Sequence, residues 1–327
     1  MAWGVKNNLN QLQALASTIS EMASSELLTG LIIRAQSGFF TVLIETTDQT
    51  VTCQLRGRLK QGPRLGDIAA IGDRVRISLL PDESGLIEEI LPRKREIVRM
   101  DPRPQGEYRQ ILLANPDQAV FVFACANPAP RLRMLDRFLV IAEKQEIPAV
   151  IVANKVDLVG QQAAHETFGI YPPLGYTVIY TSVTQNLGID ELRETLRGKL
   201  SALAGPSGVG KSSLLNALQP GLGLAVGEVS QAIGKGKHTT NFRQLHRLDI
   251  GGWVADTPGW KSLALWDTEP EEIDGYFPEL RRLVSECPFS DCTHTHEPGC
   301  AVLKAVQQGQ VRPERYDSYL RLKAGQE

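Results

Sequence analysis

Residues 205–213, Gly-Pro-Ser-Gly-Val-Gly-Lys-Ser-Ser, match the phosphate-binding pattern G-x-x-x-x-G-K-[ST] without a gap. Gly205, Gly208 and Gly210 let the backbone curl so that its N–H groups face inward. The helix start that follows adds positive potential where phosphates sit. Lys211 is suited to the β/γ-phosphates and the Ser212 hydroxyl to Mg²⁺, while Pro206, Ser207, Val209 and Ser213 complete the cradle. The apolar run 200–204 predicts a strand, and 212–218 predicts a helix that Pro220-Gly221 stops. That is the strand–loop–helix context the motif requires. It implies a nucleoside triphosphate and leaves the base open.

The base is indicated by Asn154-Lys155-Val156-Asp157, directly after the apolar run 149–153. A carboxylate at Asp157 can accept from both N1–H and the 2-amino group of guanine. Adenine lacks those donors, and a buried carboxylate facing it unpaired is costly. Asn154 is placed to hold the loop, and the stem of Lys155 to lie over the ring. Thr181-Ser182-Val183 ends another strand-like run, where backbone N–H of Ser182 or Val183 can reach guanine O6. In Asp256-Thr257-Pro258-Gly259, Asp256 is suited to hold Mg²⁺ through water and the Gly259 N–H to meet the γ-phosphate. Within Gly236-Lys237-His238-Thr239-Thr240 a hydroxyl, Thr240 ahead of Thr239, can complete the Mg²⁺ shell. Ras-type enzymes carry Gln directly after D-x-x-G to orient the attacking water. Trp260 stands there, and indole cannot polarise water. A catalytic group from elsewhere is therefore expected, with His238 the candidate and an exposed loop histidine the alternative.

A second constellation is Cys287-x4-Cys292-x-His294-x5-Cys300. Three thiolates and an imidazole suit one closed tetrahedral zinc, structural because no position remains for water. His296 competes with His294 for the fourth place. The other two of the five cysteines, Cys53 and Cys125, stand alone in apolar runs and read as small core residues.

The elements that position these groups follow from texture. At 327 residues the chain has room for two or three domains. No run of 18 apolar residues predicts a membrane span, and no secretory signal is legible. The net charge of −2 does not mark a nucleic-acid binder. Residues 1–29 form an extension in which Leu9, Leu12, Leu15, Ile19 and Met22 have helical spacing. Residues 30–100 break into short alternating runs, an OB-type β-barrel whose basic loops (Arg56, Arg58, Lys60, Arg64; Arg93, Lys94, Arg95, Arg99) suit RNA or are solvated loop charges. Residues 101–105 read as a linker. From 106 to 265 apolar strands alternate with helices, implying a parallel sheet covered on both faces. Residues 266–327 are mostly helical, with Arg312, Arg315, Arg321 and Lys323 expected on a polar face.

The motif order is permuted. In a Ras-like GTPase the phosphate loop comes first, whereas here N-K-V-D and T-S-V precede it and H-T-T and D-T-P-G follow. Joined termini at the surface allow such a circular permutation. Over residues 30–325 the chain resembles the RsgA/YjeQ ribosome small-subunit biogenesis GTPases. The likeness rests on G-P-S-G-V-G-K-S-S-L-L-N-A-L, N-K-V-D, G-K-G-K-H-T-T, D-T-P-G, D-C-T-H-T-H-E-P-G-C-A-V and R-Y-D-S-Y. The resemblance implies zinc on Cys287, Cys292, His294 and Cys300, and GTP hydrolysis with Mg²⁺ in late 30S maturation. It also implies stimulation by the subunit and rRNA contact through the barrel. A cytoplasmic monomer without membrane partners is expected. Departures from the family pattern are the N-terminal extension, T-S-V in place of a Ser-Ala type loop, and Asn241 after His-Thr-Thr. The rival expectation is a nucleotide-gated RNA-binding scaffold in which hydrolysis is incidental.

Overall fold

Leu28–Gln36 (β1), Phe39–Ile44 (β2), Thr50–Leu55 (β3), Arg74–Leu79 (β4) and Gly85–Ile90 (β5) are short strands in which buried and exposed residues largely alternate. Phe40, Val42 and Ile44 turn inward from β2, and Val75 and Ile77 from β4, as strands with one buried face require. The computed structural model describes residues 27–61, 66–103, 106–223, 243–256 and 268–326. The strands pair β1-β2-β3-β5-β4 and β4 returns to β1, closing a five-stranded barrel in which only β3 and β5 are parallel. Closure leaves a small domain few free edges. The stretch from Leu9 to Met22, whose spacing suits either an amphipathic helix or a loose tail, lies outside the described residues.

Three basic positions of the barrel have structural work. Arg93 forks onto Asp73, with both contacts at 2.7 Å, and the Asp73 carboxylate is fully buried. Glu88, nearly buried, accepts from Arg56, Arg58 and Ser78. The expected linker is instead part of a ribbon: Glu96–Arg103 (β6) pairs antiparallel with Gly106–Ala114 (β7).

Gln118–Ala124 (β8) is buried at every position, the pattern of a strand covered on both faces. Leu132–Lys144 (α1), Ala149–Asn154 (β9), Gln161–Phe168 (α2), Thr177–Thr181 (β10), Ile189–Leu196 (α3), Leu200–Ala204 (β11), Lys211–Leu218 (α4), Arg243–Arg247 (β12) and Trp253–Asp256 (β13) follow. Their sheet has the order β10-β9-β8-β11-β13-β12, parallel except for β12. Counting from β11 as the first strand turns this into 2-3-1-4-5-6 from the β12 edge, the order the sheet has when the phosphate loop opens the domain. This part of the chain is a circularly permuted α/β domain. Its outer strand β12 also pairs with β1 (Arg34 opposite Gln244, Ala35 opposite Arg243), so barrel and sheet are continuous.

The C-terminal part comprises a 3-10 turn at Pro270–Tyr276 and helices Pro278–Val284 (α5), Ala301–Gln307 (α6) and Pro313–Lys323 (α7). Its core of Ile273, Phe277, Leu280, Val302 and Tyr319 also takes in Val140 of α1. One turn away on α1, buried Asp136 pairs with Arg315 at 2.7 Å and accepts from the Tyr171 hydroxyl at 2.9 Å. Arg315 is therefore not on a polar face: it is 2% exposed. Its guanidinium also forks onto Glu279 at 2.6 and 3.2 Å and lies 4.6 Å from the Phe277 ring centre. No helix among the described residues is long and apolar enough to cross a membrane.

Candidate functional site

Parallel strands deliver their C-terminal ends to one edge, where open α/β sheets bind ligands. Register sets Asn154 opposite both Ala124 and Thr181, and Leu203 opposite Asp256. The segments 154–157, 181–183 and 205–213 therefore meet, although the first two precede the phosphate loop in the chain.

The loop is seated by glycines. A Cβ on Gly205 would lie 2.1 Å from the Val122 carbonyl oxygen, and one on Gly210 (φ +97°) 2.5 Å from Asn154 Nδ2. No larger residue fits either place with the loop where it is. Lys211 opens α4 and turns its ammonium back across the loop, donating to the carbonyls of Gly205 at 2.9 Å and Pro206 at 3.0 Å. Ser212 and Ser213 occupy the first turn, half-buried. Two loop carbonyls hold one ammonium beside a helix start, an arrangement that could receive phosphate oxygens.

Asn154, 2% exposed, ties the other motif to this cradle. Its Nδ2 donates to the Val209 carbonyl at 2.8 Å, and its Oδ1 accepts from Thr181 Oγ1 at 2.9 Å. Lys155 has left-handed backbone (φ +63°), uncommon for a side-chain-bearing residue and concentrated at functional sites. Its ammonium donates to the Gly208 carbonyl at 2.7 Å and to the carbonyl of Asn127. Asp157 accepts from the Ser182 hydroxyl at 2.6 Å. That bond, ahead of the opposing cost of desolvation, holds the carboxyl below the usual aspartate range, with Thr184 assisting. Asp157 is thus an ionised acceptor at neutral pH. Val183 turns its side chain to the apolar cluster that includes Val209 and Leu214.

Of the other expected residues, Asp256 ends β13 beside Leu203, but its side chain is outside the described residues, as are His238, Thr239, Thr240, Gly259 and Trp260. Two residues were absent from the expected site, Asn127, which receives Lys155, and Thr184, which braces Asp157, while Thr181, expected as part of T-S-V, adds a hydroxyl that braces Asn154. The position of Asn127, directly after the apolar run 119–126, was the available signal.

The second constellation also assembles. The ligand atoms of Cys287, Cys292, His294 and Cys300 all lie within 4.8 Å of one another. His294 turns Nδ1 to the sulfurs of Cys300 at 3.4 Å and Cys287 at 3.6 Å. Its Nε2 meets Asp274 Oδ2 at 3.1 Å. His296 is exposed and pairs with Thr295 instead. The choice between the two histidines therefore falls to His294. Three thiols and one imidazole edge converging on a point is the donor set of a closed tetrahedral zinc site.

Known proteins resemble the chain at both levels. The family profile described as RsgA GTPase matches residues 90–266, and that of the RsgA N-terminal domain matches residues 29–87. A small ribosomal subunit biogenesis GTPase RsgA of Gemmatimonas aurantiaca is 45% identical over 298 residues, covering 90% of this chain and 96% of that protein. The protein of the same name from Thermotoga maritima is 41% identical over 299 residues, 90% of this chain and 95% of its own length. The crystal structure of YjeQ from Thermotoga maritima superposes with a TM-score of 0.74 at 36% identity, covering 91% of this chain and 98% of that one. YloQ, described as a circularly permuted GTPase, superposes at 0.69 with 33% identity, covering 91% and 94%. A permuted sheet that carries its guanine-type motif ahead of its phosphate loop, matched along nine-tenths of its length, settles the kinship: the chain belongs to the RsgA GTPase family.

Proposed function

We propose that this chain hydrolyses GTP to GDP and phosphate during late maturation of the small ribosomal subunit. The observation that carries the reading is the pair of hydrogen bonds from Asn154 and Lys155 to the carbonyls of Val209 and Gly208. They hold Asp157 in the same cleft as Lys211, so one carboxylate can select the base of the nucleotide whose phosphates the loop cradles. Relatives named small ribosomal subunit biogenesis GTPases support the partner. The proposed setting is the cytoplasm, with the chain acting as a monomer.

In this reading Asp157 accepts from guanine N1–H and the 2-amino group, and Ser182 and Val183 present backbone N–H toward O6. Residues 205–213 bind the phosphates. Ser212, with Thr240 and Asp256, would hold Mg²⁺, which neutralises charge on the β- and γ-phosphate oxygens when bound. Cys287, Cys292, His294 and Cys300 would hold one structural zinc. The proposed division is a barrel over 30–100 that contacts rRNA, a GTPase domain over 106–265 and a zinc domain over 266–327. With Arg93 committed to Asp73, exposed Lys60 and Lys94 are the better candidates for phosphate contacts on RNA.

The catalytic group is assigned to His238, brought to the γ-phosphate when the subunit docks. Purified 30S subunits should raise GTP turnover, and His238→Ala should lose about 10²–10⁴-fold of the stimulated rate, the usual worth of a positioned acid–base group. GTP affinity should change little. Full stimulation of His238→Ala would reject the assignment. Absence of any stimulation in the unmodified chain would favour a scaffold for which hydrolysis is incidental.

A further inference from the structure

Once the zinc reading is granted, the imidazole of His294 has a specific requirement. A ring that ligates through Nδ1 carries its proton on Nε2. His294 is fully buried, so that N–H needs an acceptor inside the protein. The acceptor is Asp274 Oδ2, at 3.1 Å. Asp274 does not belong to the ligand loop: it comes from the 3-10 turn Pro270–Tyr276, pinned in the core by Ile273 and the adjoining Phe277.

The ligand loop's backbone is held by other groups. Tyr316 donates to the His294 carbonyl at 2.6 Å, Tyr319 to the Thr293 carbonyl at 2.9 Å, and Glu297 accepts from the N–H groups of Thr293 and Thr295. Loop and imidazole are thus fixed by different partners. Removing the Asp274 carboxylate frees the ring and leaves the loop anchored.

We propose that Asp274 is a positioning residue of the metal centre. It selects the Nε2–H form of His294, aims Nδ1 at the three sulfurs, and raises the basicity of the ligating nitrogen. Partners of this kind are worth 10–100-fold in metal affinity. The assignment rests on the zinc reading above, and its test separates the two.

Zinc affinity is measured on the full chain by competition with a chromophoric chelator, with cobalt(II) as spectroscopic probe. The unmodified chain should bind one zinc. Asp274→Ala should bind it about 10–100-fold more weakly and shift the cobalt ligand-field bands. Asp274→Asn, whose carbonyl can still accept from Nε2–H, should recover part of the loss. In a His294→Cys background, where no imidazole remains to orient, Asp274→Ala should weaken binding by less than twofold. A merely structural role would weaken both backgrounds equally, and that result would overturn the proposal. Equal zinc affinity of Asp274→Ala and the unmodified chain would overturn it as well. An unmodified chain that retains no zinc would overturn the zinc reading itself, and this assignment with it.

Discussion

Replacing Asp157 by asparagine is expected to weaken GTP binding by about 10²–10⁴-fold and to open the site to xanthosine triphosphate. A hydrogen bond to a charged group contributes about 1.5–3 kcal/mol, so losing two costs about 3–6 kcal/mol. The geometry says which way the new side chain faces. Ser182 donates to Asp157 Oδ1 at 2.6 Å, so an asparagine carbonyl inherits that place and its NH₂ turns to the base. Two donors then oppose guanine's 2-amino group. Xanthine carries a carbonyl at that position and accepts instead. Displacement of a fluorescent GTP analogue by each nucleotide reads both effects, with ATP as the control that gains nothing. Unchanged GTP affinity would remove Asp157 from the site.

The largest expected effect on stability is at Arg315. It is 2% exposed and carries the charge for two carboxylates, Asp136 on α1 and Glu279 on α5. Burial alone would lower the guanidinium pKa, but those two carboxylates outweigh it and raise it above its ordinary value. It therefore stays charged wherever the protein is folded. Arg315→Met leaves two buried carboxylates without their cation and should destabilise the chain by about 3–5 kcal/mol. Replacing all three by apolar residues of similar volume should restore only part of that: the desolvation cost of the charges disappears, but the buried hydroxyls of Tyr171 and Ser318 lose their acceptor on Asp136. Urea unfolding of the single and triple variants checks both statements. A single variant within 1 kcal/mol of the parent would show that α1 and α7 are held by apolar packing alone.

What could be read ahead of the structure follows from how each feature is written into the chain. The phosphate loop and N-K-V-D were legible because a ligand dictates residue types at fixed local spacing. Their meeting was legible because both sit at ends of apolar runs in a parallel sheet. Asp274 was not, since it lies 20 residues before the histidine it serves, in a stretch with no metal-site spacing. Arg315 and Asp136 are 179 residues apart, and an arginine on a helix ordinarily marks a solvated face. Residues 101–105 suggested a linker because of two prolines. Pro102 of β6 nevertheless stands opposite Glu107 of β7, in a two-stranded ribbon whose strands are both edge strands, where proline is tolerated. The joining of β1 to β12 is a backbone pairing at sheet edges, which side-chain pattern does not specify. The short helix α2, Gln-Gln-Ala-Ala-His-Glu-Thr-Phe, buries only Ala164 and Phe168 and shows too little periodicity to announce itself.

The claim on which the rest depends is that Asp157 and Lys211 serve one nucleotide. Steady-state GTP hydrolysis by the unmodified chain, with 30S subunits present and ATP added as competitor, tests it most directly. Turnover should rise with subunits and stay untouched by ATP in hundredfold excess. Inhibition by ATP at concentrations comparable to GTP would contradict it.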